Sequence, residues 1–151
     1  MISQTSEYAL RTIVFLASRK GQPATTRQIA DATQVPVGYL AKVLHALSRA
    51  NLVKSQRGPH GGSVLAIEPA TLSVYDVVQA VDSVPRIRTC PLSLKSHGLR
   101  LCPLHRRLDD AMAMIEKAFR LASIADLLGE SPDIIPLCEI PTSTPARSRS
   151  R

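Results

Sequence analysis

Residues 35–69, VPVGYLAKVLHALSRANLVKSQRGPHGGSVLAIEP, leave a folded chain few choices. Leu40, Val43, Leu44 and Leu47 fall at i, i+3, i+4 and i+7, one apolar stripe on a helix, while Tyr39, Lys42, His45 and Arg49 lie off it. One face of this helix packs and the other is available for contact. Asn51 is placed to end it, because Asn tolerates the left-handed backbone of a helix C-terminus. Leu52–Ser55 and Ser63–Ala66 then bracket Arg57 to Gly62, RGPHGG, whose glycines and proline predict the loop of a hairpin.

The preceding residues supply the partners this unit needs. Residues 3–19 predict a first helix with a broad apolar face (Ala9, Leu10, Ile13, Val14, Leu16, Ala17), stopped by Gly21-Gln22-Pro23. Thr25 and Gln28 have capping-box spacing and open a short helix through Ile29 to Thr33. Gln34-Val35-Pro36 is the turn into the next helix, with Pro36 suited to its first position, where the missing N–H has no partner to lose. Two short helices joined by a tight turn and followed by a hairpin make a winged helix-turn-helix. Trp is absent and aromatics are 3%, so the core is aliphatic, and the fold class expected is mainly α with a small β wing.

Beyond the wing, Glu68-Pro69 breaks the strand and Ser73 caps a fourth helix, with Asp76 at N3 and Val74, Val77, Val78 and Val81 on one stripe. Residues 83–102 have no period and are rich in Pro, Ser and Gly, as functional or irregular loops are. From Pro103 a long helix repeats Leu104, Leu108, Met112, Ile115, Phe119 and Ala122 at steps near a heptad seam. A lone helix of this pattern needs a second copy to cover it, which predicts a two-fold homodimer. Ser123 to Gly129 reads as a capped final turn, and Asp109-Asp110 as solvated surface. The expected organisation is a winged domain over 1–82, a loop over 83–102, a dimerisation helix with its capping turn over 103–130, and an extension over 131–151 that ends in a basic tail.

The formal charge of +7 is uneven. Residues 1–67 carry eight Lys/Arg against only Glu7 and Asp31, whereas residues 68–140 carry eight basic and ten acidic groups. Positive charge therefore accompanies the helix and wing, as double-stranded DNA requires. No phosphate-cradling glycine loop, paired catalytic carboxylates or Ser-His-Asp set is visible, so an enzyme is not expected. Met1 to Glu7 lacks the basic start of a secretory signal and Ile13–Ala17 is too short to span a bilayer, so the expected location is cytoplasmic, without a membrane partner. Three cysteines in such a chain read as thiols or metal ligands rather than a disulfide framework, with Cys138 an incidental thiol.

Several of these residues also carry a resemblance: Tyr8-Ala9-Leu10, Tyr39-Leu40 with Leu44 and Leu47, Asn51-Leu52-Val53, Arg57 to Gly62, Asp76-Val77 with Ala80-Val81, and Ala125-Asp126-Leu127. Over about residues 1 to 130 the chain resembles the bacterial Rrf-two transcription factors, and the RGPxGG wing is the specific part of the match. The resemblance implies a homodimer that binds a near-palindromic operator, mostly as a repressor. It also implies, in many members, an iron-sulfur cluster in the loop before the long helix.

For DNA, the turn opening the recognition helix presents Val37, Gly38, Tyr39 and Lys42 to the major groove, Tyr39 alternatively being a partly buried ring that supports the helix, and Thr26 and Arg27 lie at a helix N-terminus suited to a phosphate. In the wing, Arg57 is placed to enter a minor groove, with Gly58, Pro59, His60 and Gly61 forming the approach and the glycines either keeping the loop thin against DNA or serving turn geometry alone. For the cofactor, Cys90 and Cys102 match the outer cysteines of cluster-binding relatives and His105 matches a His that some of them use. The middle cysteine is replaced by Ser96, with His97 beside it as an alternative ligand. Glu7 of the partner subunit corresponds to an acidic ligand in some relatives. Mixed ligation of this kind favours a two-iron over a four-iron cluster. A reversible Cys90–Cys102 disulfide, no cofactor, or a winged module that binds a protein stay open as alternatives.

Overall fold

The computed structural model describes residues 2–92 and 100–130. Helix α1, Gln4–Ser18, starts at Ser3, whose hydroxyl accepts from the Ser6 N–H. Its apolar face is almost wholly buried, with Ala9, Ile13 and Val14 fully enclosed, and it is the post around which the other elements are arranged. Helix α2, Thr26–Thr33, carries the complete Thr25/Gln28 capping box and ends at Gln34 in the left-handed region. Helix α3, Val37–Arg49, begins one residue later than expected. Pro36 is its N-cap at φ −55°, ψ 129°, because the chain leaving left-handed Gln34 is still extended there.

At the far end of α3, Asn51 adopts φ 60°, as its side chain permits, and releases the chain into the wing. Strands β1, Val53–Gln56, and β2, Gly62–Leu65, pair antiparallel with Val53 opposite Leu65 and Gln56 opposite Gly62, each lying one residue nearer the loop than the sequence reading had it. A second anchor holds the wing. Ala24 and Ser63 exchange both backbone hydrogen bonds, at 3.0 and 2.8 Å, which fixes the register of β2 against the α1–α2 connection. Helix α4, Val74–Val81, has the Ser73/Asp76 capping box and buries Val74, Val77 and Val78.

Helix α5, Pro103–Leu121, differs in kind, since none of its residues is buried. Its C-terminus is set by pairing rather than by composition. Ala122 turns extended, at φ −91°, ψ 113°, and its carbonyl accepts from the Val74 N–H at 2.9 Å. Ala122, counted by its spacing in the long apolar seam, is therefore outside the helix, and both Phe119 and Ala122 pack on the core of their own chain. The short helix α6, Ile124–Gly129, closes the fold. Its Ser123/Asp126 box caps it, Ile124 N–H donates to Leu72 O at 2.8 Å, Ala125 N–H donates to Pro69 O at 3.1 Å, and the Ile124 side chain is fully buried. No helix among the described residues is long and apolar enough to cross a membrane.

Because Ile124 joins α6 to the winged core, replacing it with Ala is expected to cost about 2–4 kcal/mol in urea unfolding. A loss below about 1 kcal/mol would show that α6 adds little to the core.

Candidate nucleic-acid interface and cysteine segment

Helix α3 buries Leu40, Val43 and Leu47 on its inner side, which turns its first residues outward. Val37 is 51% exposed and Gly38 and Lys42 lie in solvent beside it. Tyr39 is 37% exposed, but its ring is not loose. It meets Tyr8 of α1 edge to face, 5.4 Å between centroids, and its hydroxyl lies 2.6 Å from Thr5 Oγ1. On α2, Thr26 is half-buried and Arg27 is exposed, with only a loose 4.0 Å approach to Asp31. A pair this exposed contributes little to stability, and the guanidinium is available to an anion.

In the wing, Arg57, Gly58, Pro59 and His60 are all exposed. Gly58 to Gly61 form a turn closed by the Gly61 N–H donating to Gly58 O at 3.0 Å, with Pro59 at the position a turn favours. Gly58 needs its glycine for backbone reasons, at φ 113°. Gly61 and Gly62 need theirs for packing: a Cβ on Gly61 would meet the Gln56 carbonyl, and one on Gly62 would meet the Ala24 backbone. Of the two sequence readings of the glycines, close approach to DNA and turn geometry, internal geometry accounts for these three. The exposed Arg57 remains as the group that the turn presents.

Cys102 is the N-cap residue of α5, and its Sγ lies 3.3 Å from Nδ1 of His105, so these two candidate ligands are adjacent. Cys90 is half-buried. Ser96, His97, Cys138 and the tail from Pro141 lie outside the described residues. Glu7, expected as a ligand from the partner subunit, is ion-paired with Arg11 of its own helix, and Arg11 Nη1 also donates to Thr33 O at 3.2 Å. Among the described residues no three His, Cys, Asp or Glu side chains are gathered as a metal site. An iron-sulfur cluster generally takes four protein ligands, so the described part of one chain does not by itself fit one.

A constellation that the sequence did not suggest sits between loop and helix. Arg86 donates from Nε and Nη2 to the two carboxylate oxygens of Asp109, at 2.7 and 2.8 Å, and from Nη1 to Glu116 at 3.1 Å. The Ile87 N–H adds a third bond to Asp109, at 2.8 Å. Asp109 is thus not solvated surface, unlike its exposed neighbour Asp110: its side chain is 16% exposed and paired across 23 residues. The adjacent acidic residues are separated by the helix, which turns one toward the loop and the other away. The Arg86 hydrogen bonds hold the Asp109 carboxyl down to about 2 from an ordinary 3.8, and the Arg120 and Arg86 hydrogen bonds lower Glu116. Thr5 and Arg86 were missed because their partners lie 34 and 23 residues away, beyond any local pattern.

A helix-turn-helix whose recognition helix and basic wing are both exposed defines a winged-helix, DNA-binding transcriptional regulator and not an enzyme. Residues 2–130 match the Rrf2 family, described as an iron-dependent transcriptional regulator, and the chain belongs to that family. It is similar to the HTH-type transcriptional regulator NsrR of Bacillus subtilis (strain 168), 25% identical over 142 residues, 92% of this chain and 97% of that one. Among solved structures it is similar to T. potens IscR, with TM-score 0.72, 26% identity and coverage of 85% of this chain and 86% of that one. It is likewise similar to CymR (YrzC), the global cysteine regulator of B. subtilis, with TM-score 0.71, 26% identity and coverage of 87% and 98%.

A carboxylate whose pKa is lowered by folding stabilises the fold above its unfolded pKa and loses that contribution as pH falls through the folded one. For Asp109 the window runs from 3.8 down to about 2. Asp109→Asn is therefore expected to be less stable than the wild type at neutral pH, with the gap in urea midpoint narrowing across that window. A gap independent of pH would contradict the pairing.

Proposed function

We propose that the protein is a homodimeric repressor that reads a near-palindromic operator and whose DNA affinity responds to the state of the loop carrying Cys90 and Cys102. Residues 1–82 form the reading head, 83–102 the responsive loop and 103–121 the dimerisation helix. The observation that carries the dimer is the uncovered face of α5, on which Leu104, Leu108 and Ile115 are 63%, 43% and 45% exposed. Beside it runs an apolar cleft of about 500 Å³ lined by Ile2, Val78, Val84, Leu108, Met112 and Ile115. A face of this size on a helix of 19 residues is covered at low cost by the same face of a second copy related by a two-fold axis. Such an axis puts two recognition helices on one side of the duplex, and operator half-sites one helical turn apart follow, about 34–36 Å.

In this reading Val37, Gly38, Tyr39 and Lys42 enter the major groove, Thr26 and Arg27 hold a phosphate, and Arg57 with the Gly58–Gly61 turn reaches the adjacent minor groove. Occupying a promoter in this way excludes polymerase, which is repression. The loop reports through Cys102, whose thiol is held beside the His105 imidazole at the start of the dimerisation helix. A change at this pair, by oxidation or by iron-sulfur or other metal ligation, acts on the helix that sets the spacing of the two heads.

Ile115→Asp is expected to convert the dimer to a monomer in light scattering and to abolish a footprint on the protein's own promoter; a variant that stays dimeric would remove α5 from the interface. Arg57→Ala is expected to weaken operator binding by about 1–3 kcal/mol at fixed salt, measured by fluorescence anisotropy. An unchanged affinity would leave the wing without a DNA role.

A further inference from the structure

Outside the DNA-reading surface itself, α1 touches the recognition helix at one polar point. Thr5 Oγ1 and the Tyr39 hydroxyl are 2.6 Å apart, and the Tyr39 ring rests on Tyr8 at 5.4 Å with an interplanar angle of 76°. The Tyr8 hydroxyl in turn accepts from Gln4 Nε2 at 2.9 Å, so the supporting ring is itself fixed. We infer that Thr5 is a positioning residue for sequence reading, and that its hydroxyl aims the Tyr39 phenol at the DNA. The inference rests on the DNA-reading role of α3 proposed above.

The chemistry is directional. A tyrosine hydroxyl both donates and accepts. When Thr5 donates to the Tyr39 oxygen, the phenolic proton is left to point away from α1, toward a base or phosphate acceptor, and donating after accepting strengthens the outward bond. Tyr39 also sits where aim matters most, in the first turn of the recognition helix, and its ring cannot swing because Tyr8 braces it. In the free protein the pair is exposed and water competes with it, so it adds little to stability. Against DNA the water is displaced, and the same bond then counts in full.

The full-length protein is first used to select duplexes from a random-sequence library, and affinities are then measured on the selected duplex and on poly(dI-dC). Thr5→Val, which keeps the shape and removes the hydroxyl, is expected to lower the ratio of selected to non-specific affinity by about three- to tenfold, with the thermal midpoint unchanged. Thr5→Ser is expected to restore that ratio to within about twofold, and Thr5→Val combined with Tyr39→Phe to bind no more weakly than Tyr39→Phe alone. Equal weakening on both DNAs, a fallen midpoint, or effects of Thr5→Val and Tyr39→Phe that multiply would overturn the inference while leaving DNA reading intact. Failure of the wild type to select any sequence would overturn DNA reading, and the positioning role with it.

Discussion

The structure depends on the return of the chain after α5. Ser73 and Ser123 lie in a short backbone bridge, Ala122 and Ile124 pair with Val74 and Leu72, and the Ile124 side chain is sealed in the winged core. Without that docking α5 would be a helix hung on an irregular loop. With it, the C-terminal end of α5 is fixed to the body that holds the reading head. The Arg86 clamp on Asp109 and Glu116 fixes the other half, bidentate and partly screened from water, the geometry in which such pairs are strongest. A helix held at its C-terminal end and, through Asp109 and Glu116, along its middle, with no buried residue of its own, presents its apolar face to whatever covers it.

The same economy appears at the reading head. Helix α1 is the post of the core, yet its outer turns also brace the recognition unit: Arg11 holds the Thr33 carbonyl at the end of α2, and Thr5 and Tyr8 hold Tyr39 at the start of α3. The wing is anchored independently through Ala24 and Ser63, and the glycine at 62 permits that approach. The recognition helix is thus tied to α1 and the wing to the connection that follows it. The cleft that borders α5 is lined in part by Ser6 of α1 and by Ile2 and Ser3 leading into it, which places the start of α1 between the proposed dimer contact and the DNA-reading surface.

Much of this was legible in the residues. Capping boxes at Thr25/Gln28 and Ser73/Asp76 are local signals, since the partners lie three positions apart and are satisfied within one turn, and both formed as read. The helical stripes of α1, α3 and α4, the αL residue at Asn51 and the RGPHGG turn are local in the same sense. Apart from Pro36, expected at the first helical position and found as the N-cap, the misreadings were of longer range. Ala122 kept the helical period but left the helix because Val74, 48 positions earlier, took its carbonyl. Asp109 looked like its neighbour Asp110 until Arg86 was brought across the loop. Gly61 and Gly62 are required by backbone contacts with Gln56 and Ala24, which lie beyond the turn itself.

By itself, then, the sequence determined the elements, their order, the identity of the recognition unit and the concentration of positive charge on it, because helix periodicity, capping and turn chemistry act within a few residues. Only the tertiary structure decided which groups those elements bring face to face: Thr5 with Tyr39, Arg86 with Asp109 and Glu116, and Ala24 with Ser63. Glu7 with Arg11 and Cys102 with His105, by contrast, are four and three positions apart, within reach of one helical turn. Pairings between side chains on different elements depend on how helices cross and where a loop is pinned, and neither is written in the spacing of residues along the chain.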